Sequence, residues 1–226
     1  MSQIKQLRVY LDSTSQDYSQ DKIETCFRKF SNLTDLDFNI RKQLSLNEQN
    51  IHDLGTLIGS LTNLQRLNVS LCLRNLSRWN QSYKYNFQFR KKNQFINQNR
   101  FNQIKSIGLS QFVHSLSKCL NLTQLELDFG WNKFRNLGAH HLTSKLNSLI
   151  SLKYLYLSIM SCEIDNKGML EISNRLRECT QLNLIKICIL ILFFKINSGN
   201  GDFAIKKEAK DFYNKLKHIP YLISIL

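Results

Sequence analysis

One spacing of apolar residues recurs along the chain and constrains its fold more than any single motif. In a single register, apolar side chains fall at Ile23, Phe27, Phe30, Leu33, Leu36 and Phe38, then at Leu54, Ile58, Leu61, Leu64, Leu67 and Val69. The pattern returns at Phe112, Leu116, Cys119, Leu122, Leu125 and Leu127, and at Leu142, Leu146, Leu149, Leu152, Leu155 and Leu157. It returns again at Ile172, Leu176, Cys179, Leu182, Ile185 and Ile187, and incompletely at Phe212, Leu216, Ile219, Leu222 and Ile225. The first three positions of each unit are spaced four and three, as on one face of a helix; the last two are spaced by two, as in a strand. Each unit therefore reads as a helix followed by a short strand. Successive units lie 31, 58, 30, 30 and 40 residues apart, which makes the basic period about 30 with one long interval. The amino terminus enters mid-unit, with Ile4, Leu7 and Val9 in the strand positions.

A unit of about 30 residues cannot bury its apolar face alone, so neighbours must stack, strands side by side in a parallel sheet and helices behind them. The expected fold is α/β, a solenoid with parallel strands on the concave face and helices on the convex face, running as one array over residues 1–226. Two stretches, Asn121–Leu142 (NLTQLELDFGWNKFRNLGAHHL) and Ser151–Ile172 (SLKYLYLSIMSCEIDNKGMLEI), resemble leucine-rich repeats of the ribonuclease-inhibitor-like class. Asn132 and Cys162 stand at the asparagine-or-cysteine position of that motif, and Gly138 and Gly168 at its glycine near the start of the helix. Elsewhere Gln43, Arg74 and Leu192 replace the Asn/Cys residue. The resemblance implies a curved solenoid that binds partners through its concave sheet and brings no catalytic residues of its own.

Three fragments imitate protein-kinase motifs: Asp128-Phe129-Gly130, Ile51-His52-Asp53-Leu54, and Phe203-Ala204-Ile205-Lys206-Lys207. Phosphoryl transfer requires the glycine-rich loop, lysine, catalytic Asp and metal-binding Asp in that chain order, and here the lysine lookalike comes last. Ile58 occupies the place where the catalytic loop would carry its asparagine, and Leu54 and Ile58 are helix-core positions. Asp128-Phe129-Gly130 falls on a repeat strand and its turn, with Leu125 and Leu127 inward and Asp128 outward. These are accidents of the repeat. His140-His141 is expected to begin a helix, with neighbouring rings facing different ways and no shared metal. No catalytic, cofactor-binding or metal residue is assigned, and the expected protein is not an enzyme and needs no cofactor.

The six cysteines form no C-x-x-C pair and no zinc-finger spacing with histidine, so buried reduced thiols are expected, Cys119 and Cys179 among them as small core hydrophobes. The amino terminus shows no basic segment followed by an apolar stretch, which points to an intracellular, cytoplasmic protein. The longest apolar run, Leu184 to Phe194, is eleven residues long and contains Lys186, against the roughly 20 that a spanning helix needs. No membrane partner is expected. The chain starts at a strand and ends on PYLISIL as another strand would begin, without a polar terminal unit. Since solenoids need capping, either further repeats in the native protein or poor solubility is expected.

Two regions are candidates for binding. The long interval places an excess of about 28 residues within 74–105, a stretch with eight Lys or Arg, no Asp or Glu, and seven interleaved aromatics. Basic groups neutralise phosphates and aromatic faces stack on unpaired bases, so a nucleic-acid-binding reading would use Trp79, Lys84, Arg90, Lys91, Lys92 and Arg100. The same stretch also reads as a degenerate repeat, because Tyr83, Tyr85, Phe87 and Phe89 alternate with polar residues as a half-buried strand would. The second region is the outward face of the strands: Arg8, Tyr10, Asp37, Asn39, Asn68, Ser70, Glu126, Asp128, Tyr156, Ser158 and Lys186, with Trp131 adjacent. Three carboxylates on this face disfavour a phosphate-tracking groove and suit a mixed protein surface with Tyr156 and Trp131 as anchors. Binding of another protein through the concave sheet is the leading expectation; a nucleic-acid-associated repeat protein, or the repeat region of a larger kinase-containing polypeptide, is the alternative.

Overall fold

The computed structural model describes residues 4–11, 32–40, 47–71, 104–160, 162–188 and 221–225, with single residues at 25, 27, 29, 30 and 214. Seven strands form one parallel sheet in chain order: β1 (Gln6–Leu11), β2 (Asp35–Ile40), β3 (Arg66–Ser70), β4 (Gln124–Asp128), β5 (Tyr154–Ser158), β6 (Leu184–Cys188) and β7 (Tyr221–Ile225). Four helices, α1 (Glu48–Gly59), α2 (Ser106–Leu116), α3 (Arg135–Thr143) and α4 (Asn166–Arg177), occupy the successive connections from β2 to β6. Each helix packs on the next, and all four bury their apolar stripe against the same side of the sheet. Neighbouring strands lie about 4.8 Å apart, whereas packed helices need 8–10 Å. A stack of strand–helix units must therefore bend toward its strands, which makes the sheet the concave face of a leucine-rich-repeat solenoid.

The register is that of the sequence repeat. Leu36, Leu67, Leu125, Leu155 and Ile185 stand side by side across β2 to β6, and so do Phe38, Val69, Leu127, Leu157 and Ile187. All ten are buried in one continuous core with Ile58, Phe112, Leu142 and Ile172 from the helices. Two details depart from expectation. The third apolar position lies beyond the helix: α1 ends at Gly59 and α2 at Leu116, so Leu61 and Cys119 sit in the turns that follow. There the N–H of Leu61 donates to Ile58 O, and that of Leu64 to Leu61 O, at 2.9 and 3.0 Å; the same pair of tight turns recurs at Cys119 and Leu122 and at Cys179 and Leu182. A spacing of three suits an i→i+3 turn as well as a helix face, which is why the sequence pattern did not separate them. In the last unit, Leu222 pairs with Ile185 and Ile225 with Ile187 across an irregularity at Ile185/Lys186, in place of the Ile185–Ile225 alignment expected from the 40-residue interval.

Local chemistry fixes the ends of the elements. Asn47 and Asn50 close a reciprocal cap on α1, each side-chain oxygen accepting the other's backbone N–H at 2.9 and 3.0 Å. Asp165 caps α4 by accepting from Lys167 and Gly168 N–H, and the Gly168 N–H in particular holds its carboxyl below the usual carboxylate range. Asn136 of the preceding unit exchanges hydrogen bonds with Asp165, at 2.7 and 3.0 Å, so the cap also ties two repeats together. The motif residues Asn132 and Cys162 are buried and turn their donors onto backbone carbonyls: Asn132 Nδ2 onto Phe129 O and Gly130 O, Cys162 Sγ onto Phe129 O and Met160 O. These bonds satisfy the carbonyls of the turn that leaves each strand. At the other end of the strands a carbonyl of each unit accepts two N–H groups of the next: Lys5 O from Thr34 and Asp35, Thr34 O from Gln65 and Arg66, Gln65 O from Thr123 and Gln124, Thr123 O from Lys153 and Tyr154, and Lys153 O from Asn183 and Leu184, all at 2.8–3.1 Å.

Candidate protein-binding face

Strand alternation sends every second residue away from the helices, and parallel pairing lines those residues up in rows. The middle row runs Arg8, Asp37, Asn68, Glu126, Tyr156 and Lys186 from β1 to β6. A second row, Tyr10, Asn39, Ser70, Asp128, Ser158 and Cys188, lies toward the strand ends. The structure thus lines up the strand residues named from the sequence in two rows on the side of the sheet away from the helices. It adds a third row that sequence reasoning passed over: Gln6, Asp35, Arg66, Gln124, Tyr154 and Leu184, two residues before the middle row. The signal was present, since the same alternation extends one step further, but outward positions were counted only from the first inward strand residue onward.

The face has two halves of different chemistry. Over β1 to β4 it is charged and hydrogen-bonded: Asp37 accepts from Tyr10 Oη at 3.1 Å and from Asn68 Nδ2 at 3.2 Å, and Arg66 forms an ion pair with Asp35. A shallow concavity of about 340 Å³ opens there, floored by Arg8, Asp37, Asn68 and Glu126. Over β5 and β6 the half-buried Tyr154, Tyr156 and Leu184 make it aromatic and apolar, with Lys186 Nζ 6.0 Å from the Tyr154 ring centre. Glu126 stands at the junction. Burial raises its carboxyl above the ordinary range and nearby Asp37 adds to the rise, while Lys186 opposes it. Burial and the surrounding carboxylates raise both tyrosine hydroxyls as well.

Three expectations need correction. Asp128 and Ser158 are not exposed: they are 8% and 1% accessible. Alternation sets them on the side away from the helices, but the chain turns immediately after Asp128, and its Oδ1 accepts the Gly130 N–H at 3.1 Å. Burial raises the Asp128 carboxyl, with Ser158 and the Gly130 N–H opposing the shift. The Ser158 hydroxyl lies beside that carboxylate and the Tyr156 phenol but completes no hydrogen bond of normal geometry. Tyr156 itself is half-buried, where the sequence suggested a freely exposed side chain. Trp131 belongs to the turn after β4, at φ 63°, with its N–H donating to Met160 O; it flanks the strands.

The kinase-like letters have structural employment. Phe129 is fully buried and meets Phe112 edge-to-face at 5.7 Å between ring centres, and Asp128 closes the turn at Gly130. His52 and Asp53 lie on α1 beside the core residue Leu54. His140 and His141 stand in the last turn of α3, not at its start; His140 Nδ1 is 3.0 Å from Glu171 Oε1 of the next helix. Among the described residues there is no cluster of His, Cys, Asp or Glu that could hold a metal. Burial pushes the Cys119 and Cys179 thiols up to about 11 and about 12, as expected of core hydrophobes. Among the described residues no helix is long and apolar enough to cross a membrane. Trp79, Lys84, Arg90, Lys91, Lys92 and Arg100, together with Lys206 and the Gln43, Arg74 and Leu192 positions, lie outside the described residues.

No protein-family description matches the chain, and no curated protein matches it in sequence. Solved structures similar to it include the tropomodulin C-terminal domain of Caenorhabditis elegans, at a TM-score of 0.45 and 10% identity, covering 88% of this chain and 96% of that one. Another is actin-binding site 2 of leiomodin-1, at a TM-score of 0.46 and 11% identity, covering 88% of this chain and 91% of that one. Likenesses this faint say nothing of what the present chain binds; its repeat architecture stands on its own strand register and on the Asn132 and Cys162 turns.

Proposed function

We propose that the protein is a non-enzymatic binding module that docks a protein partner on the concave face of its sheet, and that its repeats are of the ribonuclease-inhibitor-like class. The observation that carries the docking reading is the pair Tyr154 and Tyr156, half-buried side by side with Leu184 on a sheet face that no described element covers. Tyrosines partly sunk in a rigid surface offer large contact area at low entropic cost and are enriched among residues that dominate interface energies. The polar half over β1 to β4 supplies directional groups, Asp37, Asn68 and Arg66, that would fix orientation and exclude wrong partners. Three carboxylates along the same face, Asp35, Asp37 and Glu126, disfavour a phosphate backbone in this place.

The test is affinity capture from the native cell on immobilised protein, with and without nuclease, comparing the wild-type chain with Tyr156→Ala. A partner protein retained by the wild type, insensitive to nuclease and lost on the variant is the expected result. Capture that disappears with nuclease and persists on Tyr156→Ala would transfer the function to nucleic acid and away from this face.

A further inference from the structure

The Glu126 carboxylate has no hydrogen bond and no contact ion pair among the described residues, although it is half-buried at the middle of the concave face. The cation nearest in chemistry, Lys186, has its ammonium over the Tyr154 ring at 6.0 Å. On the same face of β4, two residues on and hence about 7 Å away by strand geometry, stands a second carboxylate, Asp128. Tyr156 of β5 is paired beside Glu126 and feels both carboxylates. The Ser158 hydroxyl, buried to 1% accessibility, lies on the side facing Asp128 and Tyr156. A half-buried carboxylate without a protein partner, set beside a half-buried phenol, keeps acceptor capacity that a partner's donors can fill.

We infer that the Glu126–Tyr156 junction is the seat for an arginine side chain of the docked partner, its guanidinium forking onto the Glu126 carboxylate and lying against the Tyr156 ring. The inference rests on the docking reading above. A guanidinium suits the place better than an ammonium because it is planar, carries five donors in a fixed fork, and stacks on aromatic faces. Tyr154 and Leu184 then take the aliphatic stem and the partner's neighbouring apolar residues. Lys186, beyond Tyr156 in the same row, bounds the site and repels a second cation, so the site selects one arginine and not a polybasic run.

A randomised linear-peptide display library, selected on the full chain, supplies the probe, and the recovered peptides are measured by fluorescence anisotropy as synthetic labelled copies. Enrichment of one arginine flanked by apolar residues is expected. Replacing that arginine by citrulline, which keeps the shape and removes the charge, should weaken binding about tenfold to a hundredfold, the range for a charge-assisted hydrogen-bonded pair. Glu126→Gln in the protein should weaken the arginine peptide by a similar factor and leave the citrulline peptide unchanged, with Glu126→Gln matching the wild type in circular dichroism and melting. Peptides that lose affinity on Tyr156→Ala yet are indifferent to Glu126→Gln and to citrulline would overturn the arginine seat and keep the docking face. Peptides indifferent to both variants, or no recovered peptide above background, would overturn both.

Discussion

The α1–α2 contact makes a prediction that runs against the usual rule for glycine in helices. Gly55 and Gly59 lie one turn apart on α1, both buried, and a Cβ added to Gly55 would sit 2.7 Å from the Phe112 Cα of α2. A Cβ on Gly59 would sit 2.6 Å from the Ser115 carbonyl oxygen. In an unobstructed helix Gly→Ala stabilises by about 1 kcal/mol. Here the obstructing atoms are backbone, carbon contacts relax only near 3.5–4.0 Å, and α2 is held by Phe112 and Leu116 in the core, so the helices would have to part by about 1 Å. Overpacking of this kind costs about 1–3 kcal/mol, and strain against backbone belongs at the upper end. The two terms leave a net loss of about 1–2 kcal/mol per site, or about 2–8 °C in melting temperature for a domain of this size. Thr56→Ala, on the exposed side of the same helix, serves as the control and should stay within about 0.5 kcal/mol of the wild type. Melting followed by circular dichroism at 222 nm decides it. If Gly55→Ala or Gly59→Ala raises the midpoint as an unobstructed helix position would, the close approach of α1 and α2 is wrong.

Leu155→Ala, at a fully buried strand position, should destabilise the array by about 2–5 kcal/mol, whereas Tyr156→Ala next to it should cost much less; chemical denaturation giving the reverse order would mean that the strand faces are inverted. Asn132→Ala removes both bonds to the β4 turn and leaves the Gly130 carbonyl without them, at about 1–3 kcal/mol by the same assay. Because burial raises the Asp128 carboxyl, its folded state holds the proton more tightly than the unfolded chain does; its favourable contribution is fully present below the unfolded value and is lost as pH rises through the folded one. Asp128→Asn, which keeps the acceptor for Gly130 N–H, should therefore raise the neutral melting temperature and leave it nearly unchanged at pH 3, and a neutral-pH loss would refute the assignment.

The stacking and register of this fold were legible because the same constraint was written several times. Leu67, Leu125, Leu155 and Ile185 had to share one row, since a slip of a single residue would turn Glu126 or Lys186 into the core. Depth was not legible. Alternation told on which side of the sheet Asp128 and Ser158 lie, but the turn that buries them depends on Gly130 and on the φ of Trp131, which no periodicity encodes. Gly55 and Gly59 looked like weak helix residues for a similar reason: their role appears only when a second helix approaches. The row from Gln6 to Leu184 was missed because it precedes the first inward strand residue of each unit, and the strand pattern was counted from that residue onward.

The paired hydrogen bonds at the strand entrances also bear on how such a chain tolerates change in length. Between β3 and β4 the separation of aligned residues jumps to 58, from 31 in the preceding pair, yet Gln65 O still receives Thr123 and Gln124 N–H at 2.8 and 3.1 Å, as in its neighbours. Each rung connects only adjacent units and is indifferent to the path the chain takes to reach it. Doubling a connection adds about 0.6 kcal/mol of closure entropy, less than one buried leucine contributes. A crossover in this solenoid is therefore a place where new sequence can be acquired, lost or exchanged while the sheet beneath keeps its spacing.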